Sequence, residues 1–250
     1  MSIKPSIAGA ILCCASVSSV AQADTILGLY LSASAWSPDI SGTIDSTGPR
    51  IDLNDTLGFS DDDAQRLSAR LEHPVPVLPN IGLETYDLGN TSVATLNESI
   101  IYDGTVYNIS DVVTSQLDMS HQSVLLYYEL LDNWISLDLG LDIMVFDGLI
   151  ALESSTDNSM TDIDETIPAI YGMLQFDFPA TGFSVGGTVS FISYDDNDIT
   201  KSRLYLGWES DIGLGLEVGV QAFDAEWQDI SESNGNVSFD GMYTSLTYHF

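Results

Sequence analysis

The segment WISLDLGLDIMVF, Trp134 to Phe146, alternates with a period of two along its whole length. Ile135, Leu137, Leu139, Leu141, Ile143 and Val145 fall on one face, and Ser136, Asp138, Gly140, Asp142 and Met144 on the other. Successive side chains of an extended chain point to opposite sides, so this is a strand with one apolar and one polar face. Its length is the strongest constraint. Strands of soluble domains usually run to about five or six residues, whereas a tilted strand needs about 9–11 to cross a bilayer.

The pattern recurs. Leu27, Leu29, Leu31, Ala33 and Ala35 form one stripe, Leu67, Ala69 and Leu71 another, Leu204, Leu206 and Trp208 a third, and Leu214, Leu216, Val218 and Val220 a fourth. Read this way, strands are expected at 25–36, 64–73, 81–88, 115–128, 134–146, 167–178, 183–194, 200–210, 214–227 and 239–250. The connections PVPVLPN, LLDN, PATG and SDIG are short, whereas 37–63, 89–114, 147–166 and 229–238 are long and acidic. Short turns at one end, long loops at the other and an even strand number describe an all-β, antiparallel up-and-down transmembrane β-barrel. Ten strands are expected, or eight if 81–88 and a partner belong to loops. A soluble sandwich or lipocalin-like barrel would turn the apolar stripes inward; strand length, the leader and the chain's ending favour the membrane.

The leader is MSIKPSIAGAILCCASVSSVAQA. Lys4, an apolar stretch from Ile7 to Ala15 and Ala21-Gln22-Ala23 have the form of a cleaved signal peptide. Domains are therefore expected at 1–23 for the signal and 24–250 for the barrel. Both cysteines leave with the signal, so no disulfide is expected. The net charge of −31 excludes nucleic acid as a partner.

The chain ends GMYTSLTYHF. The stripe Leu246, Tyr248 and Phe250 resembles the C-terminal signal of bacterial outer-membrane proteins, which implies the barrel-assembly machinery as a partner during biogenesis. The stretches IDLNDTLGFSDDDAQRLSARLEHPVPVLPNIGLE, LLYYELLDNWISLDLGL and LYLGWESDIGLGLEVG resemble a family of small outer-membrane β-barrel proteins of marine Gram-negative bacteria. The resemblance implies the fold and an outer-membrane location; the barrel so read is expected to have both termini periplasmic and the acidic loops outside. The resemblance carries no catalytic residues.

If the apolar stripes face lipid, Arg66, Arg70, Lys201 and Arg203 point inward, toward Glu72, Glu84, Asp118, Asp138, Asp142, Asp177, Glu209 and Glu217. An interior this narrow would be filled by side chains, so an ion-paired, closed lumen is expected. The function then read is a structural or surface-interaction role for a monomer surrounded by outer-membrane lipid and lipopolysaccharide. A narrow cation-preferring channel or small-solute porin is the alternative, and a lipid-modifying enzyme the third reading. For the last, His121 and Ser123 are the candidates, a base beside a hydroxyl on one strand face, though the orienting acid of a triad is missing nearby. His73 reads as a turn residue and His249 as a rim residue. No cofactor is expected; Asp61, Asp62, Asp63, Asp195, Asp196 and Asp198 are oxygen-rich enough for Ca²⁺ or Mg²⁺ but lack ligand spacing. Trp36, Trp134, Trp208 and Trp227 are expected to form an interfacial girdle.

Overall fold

The computed structural model describes residues 27–75, 77–230 and 232–250, so the expected signal peptide lies outside the described residues. These residues fold entirely into strands and connections. In chain order the strands are β1 (Gly28–Asp45), β2 (Ile51–Asp52), β3 (Ala64–Glu72), β4 (Asn80–Asp87), β5 (Gly89–Thr95), β6 (Ile100–Tyr102), β7 (Thr105–Tyr107), β8 (Val112–Asp118) and β9 (His121–Asp132). They continue with β10 (Ile135–Phe146), β11 (Gly148–Glu153), β12 (Asn158–Ile163), β13 (Thr166–Asp177), β14 (Phe183–Tyr194), β15 (Asn197–Glu209), β16 (Leu214–Ile230) and β17 (Ser233–His249).

Ten of them close a ring in the order β1-β3-β4-β9-β10-β13-β14-β15-β16-β17, every neighbouring pair antiparallel, with β17 returning to β1 from Tyr30↔His249 to Asp45↔Asn234. Closure leaves the sheet without a free edge, which is how such a structure satisfies its backbone away from water. The apolar stripes face outward: Leu139 and Leu141 are 47% and 48% exposed, while Asp138 and Asp142 on the opposite face are buried. Both ends of the described chain meet at the end with the short turns, where Leu29 and Phe250 exchange two backbone hydrogen bonds of 2.9 Å. We call this the turn end and the other the cap end.

The cap end differs from the expected acidic loops. The barrel strands β4, β9, β10 and β13 break for one or two residues and then run on, as β5, β8, β11 and β12, into a separate four-stranded sheet of the same neighbour order. At the first break Ser120 Oγ accepts from Leu88 N at 2.9 Å and the Asp118 carboxylate accepts from Ser120 N at 2.9 Å. Gly148 starts β11 where a Cβ would lie 2.2 Å from the Asp118 carbonyl oxygen, so the strands can approach this closely only with glycine there. Likewise 37–45 extends β1, and 229–238 is almost wholly the ends of β16 and β17. In 37–45 Ser37, Asp39 and Ser41 take the exposed positions, and in the cap sheet Ser92, Ser115, Ser159 and Thr161 take buried ones, so an apolar alternation was hard to see. The β14–β15 hairpin at this end turns on Asp195 and Asp196, both at positive φ (53° and 66°), as a two-residue hairpin with matching twist requires.

The expected strand 115–128 is β8 and β9 with the break between them, and its phase is inverted. Leu117, Met119, His121, Ser123, Leu125 and Tyr127 are buried. Val124 and Leu126 lie on the outer face. Both faces of this segment carry apolar residues, so alternation alone was undecided; pairing settles it, because Leu125 lies opposite inward-facing Asp142. Two of the four tryptophans also depart from the expected girdle. Trp134 and Trp208 are exposed at the turn end, among Phe176, Phe178 and Phe183, but Trp36 and Trp227 are buried in the interior.

That interior has two layers. Toward the turn end it is polar. Toward the cap end it is an apolar core in which Trp36, Ile40, Phe146, Phe223 and Phe239 of the barrel meet Ile150, Leu152, Tyr102 and Tyr107 of the cap. The connection after β2 closes one side of the mouth: Leu53, Leu57 and Phe59 are buried, Asn54 Nδ2 donates to the carbonyls of Ile40 (2.6 Å) and Phe59 (3.0 Å), and Ser92 Oγ donates to Leu57 O at 2.8 Å. The β6–β7 hairpin is pinned by Tyr102, whose hydroxyl donates to Thr161 Oγ1 at 3.1 Å, and by Tyr107, whose hydroxyl donates to Leu152 O at 2.8 Å.

Leu57→Ala should cost about 2–5 kcal/mol of cap stability by leaving a cavity, read as protease cleavage within 46–63 while the barrel keeps its heat-dependent gel shift. Burial pushes the Tyr102 hydroxyl up to about 12 from 10.0. Its folded value lies above its unfolded one, so its contribution is complete below pH 10 and is lost as pH rises toward 12. Phenolate absorbance should rise with cap opening in that window, and Tyr102→Phe should remove this part of the signal.

Candidate functional site

The polar layer is built around Lys201. From β15 its ammonium lies 2.7 Å from Asp142 Oδ2 on β10 and 3.6 Å from Glu84 Oε2 on β4, and it donates to Ser123 Oγ on β9 at 2.8 Å. In the ring β15 and β4 stand five strands apart, so Lys201 and Glu84 join diametrically opposite walls. Glu84 is shared further: Arg66 Nη2 is 2.9 Å and Arg70 Nη2 3.6 Å from its Oε1, and Tyr86 OH donates to Oε2 at 3.2 Å. Asp142 also accepts from Ser190 Oγ at 2.7 Å. A second group lies on the β15–β17 wall, where Arg203 Nη2 is 2.8 Å from Glu217 Oε2 and 2.9 Å from the Tyr243 hydroxyl.

Aromatic faces complete the packing. Lys201 Nζ sits 4.7 Å from the centroid of Tyr86, and the Arg70 guanidinium lies 5.9 Å from Tyr127 and 5.8 Å from Tyr171. A cation over an aromatic face gains electrostatic attraction that strengthens as water is excluded. Four cations therefore meet carboxylates, hydroxyls and rings from most of the wall.

Not every residue expected inward lies in this network. Asp138 is buried, without an ion pair among the described residues. Glu72 accepts from Tyr127 OH at 3.1 Å nearer the turn end, and the Asp177 carboxylate accepts from Gln175 Nε2 at 2.9 Å. Glu209 is exposed at the turn end, 3.6 Å from His249 Nδ1, and His249 stacks on Tyr30 at 4.0 Å. Asp118 is corrected: it lies opposite the buried face of β8 and supports the break before β9, a consequence of the inverted phase.

His121 and Ser123 both enter the interior, with separate partners. His121 stacks on Tyr86 at 4.6 Å, lies beside Phe146 and Phe223, and donates through Nδ1 to Met119 O at 3.0 Å. Ser123 is held by Lys201, and no hydrogen bond joins it to His121 among the described residues. His73 lies in the turn after β3, its Nε2 3.1 Å from Pro79 O. Asp61, Asp62 and Asp63 precede β3, where Asp62 caps the Asp63 amide at 2.8 Å, and Asp195, Asp196 and Asp198 sit at the β14–β15 hairpin. Among the described residues no three histidine, cysteine, aspartate or glutamate side chains gather to hold a metal. Leu246, Tyr248 and Phe250 all face outward on or beside β17.

One feature went unread in the sequence. At the cap end the interior contains a cavity of about 220 Å³ lined by Met119, Phe146, Ile167, Ile192, Ile199 and Trp227. Phe223, Ala225 and Trp227 continue the inward face of β16 at every second residue, a signal obscured by the acids between and after them. Removing one partner of a buried ion pair strands the other charge, at a cost of about 3–5 kcal/mol. Lys201→Met should show that cost, because Asp142 and Glu84 are both deeply buried. Arg203→Leu should cost less, since Glu217 keeps some water contact; urea unfolding in micelles compares the two.

No family model and no curated protein matches the chain. Among solved structures it is similar to a FadL homologue of Pseudomonas aeruginosa, at 9% identity over 90% of each chain and a TM-score of 0.37. It is also similar to Ail, the attachment invasion locus protein of Yersinia pestis in complex with the heparin analogue sucrose octasulfate, at 11% identity over 89% of this chain and 99% of that one, with a TM-score of 0.37. A third likeness is to a TodX monoaromatic hydrocarbon channel mutant, at 7% identity over 90% of each chain and a TM-score of 0.34.

Proposed function

We propose that this chain is an integral outer-membrane β-barrel whose lumen is closed by its own side chains and whose work lies at the surface presented by its cap. The carrying observation is the Lys201–Glu84 bridge between opposite walls, reinforced by Asp142, Arg66 and Arg70. An ion moving along the axis would have to part buried, mutually paired charges, whose burial leaves each parted group without a replacement partner. Above this lies the apolar layer, which offers a hydrated ion nothing with which to exchange its shell.

The outward stripes supply the lipid-facing band, and Trp134, Trp208, Phe176, Phe178 and Phe183 supply an aromatic girdle at the turn end. On this reading the turn end is periplasmic, and the four-stranded cap sheet stands outside as a rigid, acidic surface amid lipopolysaccharide. The mature protein, residues 24–250, should be silent in planar bilayers after insertion is verified. Discrete conductance steps would overturn the closed lumen and make the chain a narrow channel.

A further inference from the structure

The cavity at the cap end lies where the barrel wall forks. The β13–β14 ladder ends at Ile170↔Phe191. Beyond that pair, Thr166 to Ala169 stay paired with β10 alone, and Ile192 to Tyr194 with β15 alone. Ile192, next to the last pair on β14, and Ile167, two residues beyond the buried Ala169 on β13, both line the cavity. Outside the fork Ile170 and Phe191 are exposed and apolar, so the fork adjoins the outward apolar stripe of the wall.

Most of the lining is apolar, with Asn197 and Tyr194 joining it at the hairpin side. Trp227 adds no unsatisfied polar atom, because its indole Nε1 donates to Ser233 Oγ at 3.2 Å. Around the entrance the chemistry changes: Glu165 and Glu226 border the cavity and are exposed, and Asp195 and Asp196 form the adjoining hairpin tip. An apolar cavity of about 150 Å³ is already large enough to hold benzene, and this one measures about 220 Å³.

We propose that the cavity is a binding site for a small, neutral apolar molecule of about one aromatic ring, taken up through the fork between β13 and β14. Size sets the upper bound, the lining sets the apolar character, and the carboxylates at the entrance disfavour anions. The site goes beyond the closed-lumen reading and does not depend on it, since the cavity lies on the cap side of the ion pairs.

Trp227 provides the reporter. Trp134→Phe and Trp208→Phe remove the two exposed indoles, leaving Trp36 and Trp227. In lipid nanodiscs this background is titrated with bromobenzene, a heavy-atom quencher of the required size. Saturable quenching is expected, superimposed on the linear component of probe dissolved in the bilayer. Ala225→Phe, which fills the cavity, should weaken the saturable component at least tenfold; if that variant lacks the heat-dependent gel shift of a folded barrel, Ile167→Phe at the fork takes its place. The anionic analogue 4-bromobenzoate should show no saturable component. Purely linear quenching by bromobenzene, or equal saturation in the filled variant, would overturn the site. Equal binding of 4-bromobenzoate would overturn its selectivity for neutral ligands.

Discussion

The bridge from Lys201 to Asp142 and Glu84 ties the structure together. A ring of strands is held by hydrogen bonds around its circumference, but those bonds say little about what occupies the centre. Lys201 connects β15 to β10, β9 and β4 across the interior. Its cost is the desolvation of the ammonium and the two carboxylates, and that cost is offset only while every partner stays in place. The same dependence fixes register. Sliding β15 by one residue would carry Lys201 to the lipid face and leave Asp142 buried without its cation.

The two interior layers depend on each other. Polar side chains in a narrow lumen are well paired only where water is kept out, and the apolar layer around Phe146, Phe223 and His121 covers the polar layer on the cap side. His121 stands at the boundary. Its ring packs with aromatics, while its neighbour two residues along, Ser123, belongs to the Lys201 cluster.

How much of this was legible in the sequence depended on the contrast between strand faces. In β10 the leucines and aspartates alternate cleanly, so the apolar and polar faces could be told apart from the residues alone. In β9, Leu125 and Tyr127 on one side face Val124 and Leu126 on the other, and only pairing with β10 shows which side is in. The inward direction of Arg66, Arg70, Lys201 and Arg203 followed from their stripes. That Lys201 should reach Glu84 did not, because the contact depends on the circumference of the closed ring. The cap was hidden for a compositional reason: Thr91, Ser92 and Asp162 made β5 and β12 resemble solvated loops. Trp36 and Trp227 were misplaced because tryptophan is amphipathic and suits either a membrane interface or a core.

The broken strands have a consequence for assembly. β5 and β8 are joined by one connection and β11 and β12 by another; the two hairpins are separated in sequence by β9 and β10, and meet through the β8–β11 ladder. Once β4, β9, β10 and β13 are side by side, the ends of each cap hairpin are already anchored and their order is inherited. The entropy of closing those loops is then largely spent by the barrel. Cap pairing is thus short-range once the wall beneath it is in place, and each cap strand takes its neighbours from the barrel strand it continues.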